Sequence, residues 1–264
     1  GDTHLHSANS GDAFTTGTRF TPEETYRISR GEEVISTTGL PARLPRPLDF
    51  VVISDHSEAL GLITQVYEGN PKLMGDSTLQ RWNRMMKAGG SEAAAAVTEV
   101  IGAQASNTVP SVLTDPKVAG PLMMSVWQRA AVMADKYNEP GRFTTFIGFE
   151  WTSNTGGNNL HRVVIFRDGG DKAGQVEPLA TIRPSGSDDP KDLWKYLQAY
   201  EDKTGGRLLA IAHNGNLSNG IMFPLVDTFD NNTPLDAEYA RLRQMWEPLY
   251  EVTQTKGDGE AHPY

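Results

Sequence analysis

Short, continuously apolar runs recur along the chain, separated by stretches with helical spacing, and most runs stop at a charged or imidazole side chain. Asp49-Phe50-Val51-Val52-Ile53 is apolar and β-branched without alternation, the pattern of a strand buried on both faces, and it stops at Ser54-Asp55-His56. Phe143 to Phe149 repeats the pattern and runs into Glu150. Arg162 to Phe166 follows His161, Leu208 to Ala212 precedes His213, and Gly1 to Leu5 reads as a strand end entering a turn-rich loop. A further strand is predicted near Leu249 to Thr253, which makes about six strands of this kind.

Helices are predicted between them. Thr21-Pro22-Glu23-Glu24 places Thr at a cap, Pro at the first helical position and Glu three residues after the cap, so a helix should run to about Arg30 and stop at Gly31. Pro41 to Pro47 is a proline-punctuated connection. From Leu60 to Asn138 the chain is rich in Ala, Met, Gln and Glu and has no strong strand, so this segment reads as a helical insertion, broken near Gly89-Gly90 and at Pro110, Pro116 and Pro121. Asp189-Pro190 opens another helix with Trp194 and Leu197 on one face, and a last helix should span Pro234 to Arg243. Strands alternating with helices predict an α/β fold with a parallel sheet and right-handed crossovers, in a single domain over residues 1–264.

Composition narrows the chemistry. The chain has no cysteine, which excludes disulfides, thiolate metal sites and a cysteine nucleophile. The 24 Lys and Arg against 33 Asp and Glu give a formal charge of -9, which argues against a generic nucleic-acid binder while leaving a small-molecule substrate, a nucleotide included, open. No run approaches the roughly 18 apolar residues of a membrane span. The start at Gly1, without an initiator Met, has the look of a processed end and favours a periplasmic location over a cytoplasmic one.

Candidate functional residues gather where strands end, the usual site position in parallel α/β folds. His4-Leu5-His6 places two imidazoles on one side of a strand. Asp12 follows in the next turn, and Asp55 and His56 end the second strand. Glu150 is a carboxylate after a buried apolar run, where it needs a cation or a metal. Each has an ordinary structural explanation: packed or surface histidines, Asp12 as a solvated loop carboxylate, Asp55 as a helix cap, His161 as a loop residue. Together they converge, because five of six histidines sit at strand edges on one side, with His262 the exception. Imidazole and carboxylate without thiolate suits Zn²⁺, Mn²⁺ or Fe²⁺.

With these residues in view, the pattern His4-x-His6, Asp12, Ser54-Asp55-His56, Glu150, His161 and His213 resembles the PHP (polymerase and histidinol phosphatase) superfamily. Gly1-Asp2-Thr3-His4-Leu5-His6-Ser7, Pro47-Leu48-Asp49-Phe50 and Glu251-Val252-Thr253-Gln254 with Lys256-Gly257-Asp258-Gly259 are similar to a PHP-related family known as domain of unknown function 3604. The resemblance implies a distorted TIM-like barrel of seven strand–helix units holding two or three divalent metal ions. His4 and His6 would bind a first ion, Glu150 would bridge to a second held by His161 and His213, and Asp12 and His56 would belong to a third. PHP proteins finish this site with a late Asp-x-His pair. Asp258-Gly259-Glu260-Ala261-His262 does not fit that spacing, so the barrel is expected to be incomplete here, its last strand lying past Tyr264.

The implied activity is metal-dependent hydrolysis of a phosphoester, by a water activated between two ions. Glu150, Asp55 and His56 are the residues expected to take part in catalysis, Asp55 by orienting a ligand histidine. Arg162 would contact a substrate anion or lie at the surface, Asn214 and Asn216 would line the mouth or shape a turn, and the insertion would cap the site or only decorate the fold. The alternatives are an amidohydrolase-like enzyme acting on C–N or C–O bonds, which would need a carboxylated Lys where Glu150 stands, and a non-catalytic metal-binding domain. The oligomeric state is not encoded in any pattern of this kind.

Overall fold

The computed structural model describes residues 1–105, 108–182 and 186–259. His262 and the end of the Asp258 to His262 stretch lie outside them.

Six strands form one sheet in chain order: β1 (Asp2–Leu5), β2 (Phe50–Ile53), β3 (Thr144–Trp151), β4 (Arg162–Phe166), β5 (Leu208–Ala212) and β6 (Leu249–Tyr250). The sheet is curled into a half-barrel, and the remaining structure is mostly helical. A closed TIM-like barrel of seven units is not what the described residues form: β1 and β6 are both edge strands, with no ladder between them. The expected all-parallel sheet also needs correction. β1, β2 and β3 pair in parallel, as do β5 and β6, but β4 runs antiparallel to both of its neighbours. The physical reason is the connection length. Only ten residues join β3 to β4, which fits a direct return and is too short for a helical crossover.

The helices are α1 (Gly11–Thr15), α2 (Pro22–Ser29), α3 (Leu62–Glu68), α4 (Ser77–Ala88), α5 (Gly90–Ala105), α6 (Ala119–Tyr137), α7 (Gly170–Ala173), α8 (Pro190–Thr204) and α9 (Ala237–Trp246). The capping box at α2 forms as its sequence dictates: Thr21 Oγ1 accepts from the Glu24 amide while the Glu24 carboxylate accepts from the Thr21 amide. Gly31 then takes a left-handed φ of +85° that most side chains resist, and the helix ends before it. The last helix begins three residues later than its pattern suggested, because Asp236 caps it by accepting from the Tyr239 amide. Pro121 lies inside the first turn of α6 and does not break it, since a proline in the first turn removes no intrahelical bond. Pro41–Ala42 pairs with Val34–Ile35 as a small hairpin, an element the proline-rich sequence did not suggest.

Two large apolar clusters hold the fold among the described residues, with a small third formed by Leu160, Ala212 and Met222. The larger lies between the sheet and helices α2, α6, α8 and α9, where Trp127, Phe149, Phe166, Leu193, Trp194, Leu197, Tyr200 and Trp246 are buried. The buried positions Leu193, Leu197 and Tyr200 of α8 follow helical spacing, so one face of that helix packs on the sheet. The second cluster joins α3 and α4 to Ala8 and Phe14 of the segment after β1. The insertion is thus load-sharing structure in its own right: α6 completes the main core, while α3 supports the loop that follows His4 and His6. Gly61 donates its amide to the Asn9 carbonyl at 2.8 Å, and Thr64 Oγ1 donates to the Ala8 carbonyl at 2.5 Å. Among the described residues, no helix is long and apolar enough to cross a membrane.

Candidate metal centre

Strand register brings the polar ends together. His56 bridges in parallel to Glu150, so the chain leaving β2 lies beside the end of β3. In the antiparallel pair β3–β4, Glu150 is opposite Val163 and Trp151 opposite Arg162. Side chains alternate between faces, so Glu150 and His161 share the concave face while Arg162 points the other way. Arg162 pairs with Ala212, and the His213 amide donates to the His161 carbonyl, which sets His161 beside His213. Tyr250 pairs with Ala212, so Glu251 arrives beside His213 from the last strand. Reversal of β4 is decisive here. His161 precedes its strand, and in a parallel strand that position would fall at the opposite end of the sheet.

Glu150 is the centre of the arrangement and only 1 % exposed. Its Oε1 lies 2.8 Å from His161 Nδ1 and 2.7 Å from His213 Nε2. Its Oε2 lies 3.1 Å from His4 Nε2, 2.8 Å from His6 Nε2 and 3.4 Å from His56 Nδ1. Behind these rings stand two more carboxylates. Asp12 Oδ1 is 3.1 Å from His6 Nδ1 and Asp12 Oδ2 is 3.3 Å from His56 Nε2, while Glu251 Oε2 is 2.9 Å from His4 Nδ1.

Two sets of three donors are close enough to share an ion: His4, Glu150 and His213, and His6, His56 and Glu150. This grouping separates His4 from His6, which the resemblance placed on one ion. Both rings still meet one oxygen, Glu150 Oε2, at 3.1 and 2.8 Å, but their other neighbours differ. His4 faces across the half-barrel to His213, with ring centroids 4.2 Å apart, whereas His6 turns towards His56 at 4.7 Å. His161 touches Glu150 but belongs to neither set. Asp12 lies on the outer nitrogens of His6 and His56, away from Glu150.

Electrostatics favours a cation in this space. Burial alone would lower the His4 and His6 pKa values, but the carboxylates of Glu150 and Glu251, and of Glu150 and Asp12, overcome it and raise them to about 9 and about 10. His56 is also raised, its burial being outweighed by Glu150 and Asp12. Burial lowers His213 to about 4 in spite of Glu150. Glu150 itself is held well below the usual carboxylate range, since the surrounding imidazoles more than offset its desolvation. Without an ion, the cluster would need several imidazolium charges within a few ångströms of one another. The fit to a divalent ion also rests on unpaired atoms. His6 Nε2 and His213 Nδ1 are buried without a hydrogen-bond partner, although His6 Nε2 points at Glu150. A hydrogen-bonded cluster would leave neither; a metal takes up ring nitrogens that have no proton donor to face.

Asp55 takes no part in this shell. Its fully buried carboxylate accepts from the Ser7 amide and from Ser7 Oγ, both at 2.6 Å, and so pins the residue after His6. Burial raises its pKa even though Ser7 opposes the shift. It therefore anchors the His4–His6 segment through the backbone rather than orienting a histidine directly. Arg162 is neither at the surface nor at the site: it is buried on the helix side, with Nε 3.1 Å from Glu247 Oε1. Asn214 sits in left-handed backbone with φ 66° and places Nδ2 3.3 Å from His161 Nδ1, so it both shapes the turn and borders the cluster. Asn216 donates to the Lys256 carbonyl at 3.3 Å, a loop-to-loop contact.

Sequence reasoning assigned no role to four neighbours of the cluster: Glu251, Gln254, Thr152 and Asn154. Thr152 Oγ1 contacts His56 Nδ1, and Asn154 Oδ1 lies 3.1 Å from His161 Nε2. Glu251 carried the signal that identified Glu150, a carboxylate following a strand, but its strand is only two residues long.

A family model described as protein of unknown function (DUF3604) matches residues 1–264. No curated protein and no solved structure matches the chain.

Proposed function

The chain belongs to the DUF3604 family, and from that premise we propose that it is a PHP-like metal-dependent hydrolase acting on a phosphoester of a small molecule. The observation that carries this reading is a single buried carboxylate, Glu150, common to both three-donor sets, with Oε1 facing His161 and His213 and Oε2 facing His4, His6 and His56. A carboxylate shared in this way suits a pair of divalent ions such as Zn²⁺, Mn²⁺ or Fe²⁺. Such ions, when bound, supply Lewis acidity that activates water and neutralises charge on the phosphoryl oxygens.

The chain's own residues then have defined tasks. Glu150 sets the spacing of the two donor sets, with His4 and His213 on one and His6 and His56 on the other. His161 holds Oε1 of Glu150 through Nδ1 and is itself held at Nε2 by Asn154 Oδ1. Asp12 fixes the rings of His6 and His56 from behind. Asp55, through Ser7, keeps the segment after β1 from drifting away from the sheet. Support for this reading over an amidohydrolase comes from the bridging position, which is a glutamate.

The test is metal content coupled to hydrolysis of a generic phosphoester. Purified protein should carry two or more equivalents of a divalent ion. Chelation should abolish turnover, and Mn²⁺ or Zn²⁺ should restore it. Glu150→Gln should lose bound metal and reduce kcat by at least about 100-fold, as expected when a metal centre is disassembled. Unchanged turnover in rigorously metal-free protein would reject the reading.

A further inference from the structure

We infer that Glu251 is a positioning residue for the metal centre, holding His4 from the edge strand on the far side of the half-barrel; the inference rests on the metal-site reading above. His4 has its two ring nitrogens committed in opposite directions. Nε2 faces Glu150 at 3.1 Å, on the side of His213, while Nδ1 faces Glu251 Oε2 at 2.9 Å. A ring that ligates through Nε2 must carry its proton on Nδ1, and a carboxylate behind Nδ1 selects that tautomer and raises the ligand's basicity. Glu251 is placed for this, and it is held in turn: Gln254 Nε2 donates to Glu251 Oε1 at 2.8 Å, while the same nitrogen, 3.1 Å from His4 Nδ1, cannot donate there once Nδ1 carries its proton. Asp12 stands behind His6 in the same way, so each histidine of the His4-x-His6 pair has a carboxylate at its outer nitrogen.

Glu251 comes from an unusual direction. It follows β6, the edge strand opposite β1, and 247 residues separate it from His4. The contact is therefore a side-chain link between the two edges that no backbone ladder joins. β6 has only two paired residues and would hold its place weakly alone. The Glu251 amide extends the register by donating to the Ala212 carbonyl at 3.0 Å, and the following residues turn back as a hairpin, Thr253–Gln254 against Gly257–Asp258. That hairpin brings Gln254 over Glu251.

The experiment compares the full chain with its Glu251→Ala and Glu251→Gln variants. Zinc affinity is measured by competition with a chromophoric chelator, ion count by elemental analysis, and the His4 tautomer by ¹⁵N chemical shifts of the zinc-loaded protein. Glu251→Ala should weaken zinc binding by roughly 10–100-fold with the ion count at saturation unchanged. Its His4 nitrogens should lose the uniform Nδ1–H pattern of the wild type. Glu251→Gln keeps an acceptor oxygen and should recover part of both effects; being isosteric, it also serves if the alanine variant misfolds. Wild-type affinity and tautomer in both variants would overturn the inference while leaving the metal site intact. So would the loss of a whole ion equivalent in both, which would make Glu251 a ligand. A wild-type protein that takes up no zinc would instead remove the metal-site reading itself, and this inference with it.

Discussion

Glu150 is a carboxylate with more neighbours than it has lone pairs. Five imidazole rings lie within 3.4 Å of its oxygens, and a carboxylate offers about four acceptor directions. An ion shared by these groups would resolve the excess, and on the proposed reading Glu150→Gln is expected to be more damaging than loss of any one histidine. Residue by residue, much of the cluster was legible, because each histidine or glutamate ends or precedes an apolar run. Asp55 shows the limit of that reading. Its position beside His56 suggested histidine orientation, but in the fold its oxygens are both used by Ser7. Replacing Asp55 by Ala should leave the Ser7 amide and hydroxyl buried without an acceptor and cost about 1–3 kcal/mol, read from urea denaturation of metal-free protein. A cost near zero would show that the segment after β1 is held by other contacts.

At the scale of elements, the sheet constrains its own strands. Gly148 lies in β3 between β2 and β4, where a Cβ would come within 2.5 Å of Val52 Cγ1 and 2.7 Å of the Val164 carbonyl oxygen. Backbone cannot yield cheaply, so Gly148→Ala should lower stability by at least about 1–3 kcal/mol, measured by thermal or urea unfolding. The convex face has its own charged device. Glu247 ends α9 and accepts from Arg162 and from Trp194 Nε1 at 2.8 Å, with Arg243 Nη2 at 3.1 Å. Desolvation would raise its pKa, but Arg162 and Arg243 together push it below the usual value of 4.5. Because the folded pKa is the lower one, the stability it contributes is complete above about pH 4.5 and is lost as pH falls through the folded value. Glu247→Gln should therefore cost roughly 3–5 kcal/mol at neutral pH, since Arg162 is left uncompensated, and the gap to wild type should narrow on acidification. A gap that widens in acid would contradict the sign. Arg162 also shows a signal that was present but unused: it is adjacent to His161, and neighbours in a strand face opposite sides.

At the scale of the molecule, the half-barrel gathers six strand ends at one place, and among the described residues its two edges are not joined by a ladder. Side chains then do what hydrogen-bonded closure does in a complete barrel, with His4 and Glu251 meeting across the gap. An ion bound by residues from β1, β3 and β5 would cross-link the sheet in the folded state only. Metal at about 100 times its Kd should then add about 2.7 kcal/mol to the free energy of unfolding, seen as a Tm that rises with added Zn²⁺ and falls back with chelator. A Tm indifferent to both would argue against a site preformed by the fold.

The sequence by itself determined the chemistry of the donors, the absence of thiolate, the strands and helices that carry them, and the insertion. These follow from local rules: apolar periodicity, caps, and the alternation of faces along a strand. The reversal of β4, which puts His161 at the working end, was implicit in the short link after Glu150, but tertiary structure alone decided the approach of His4 to His213 and the arrival of Glu251. Each depends on how strands far apart in the chain are ordered, directed and curled. That is fixed by packing of the sheet against its helices, and residue-level propensities carry no record of it.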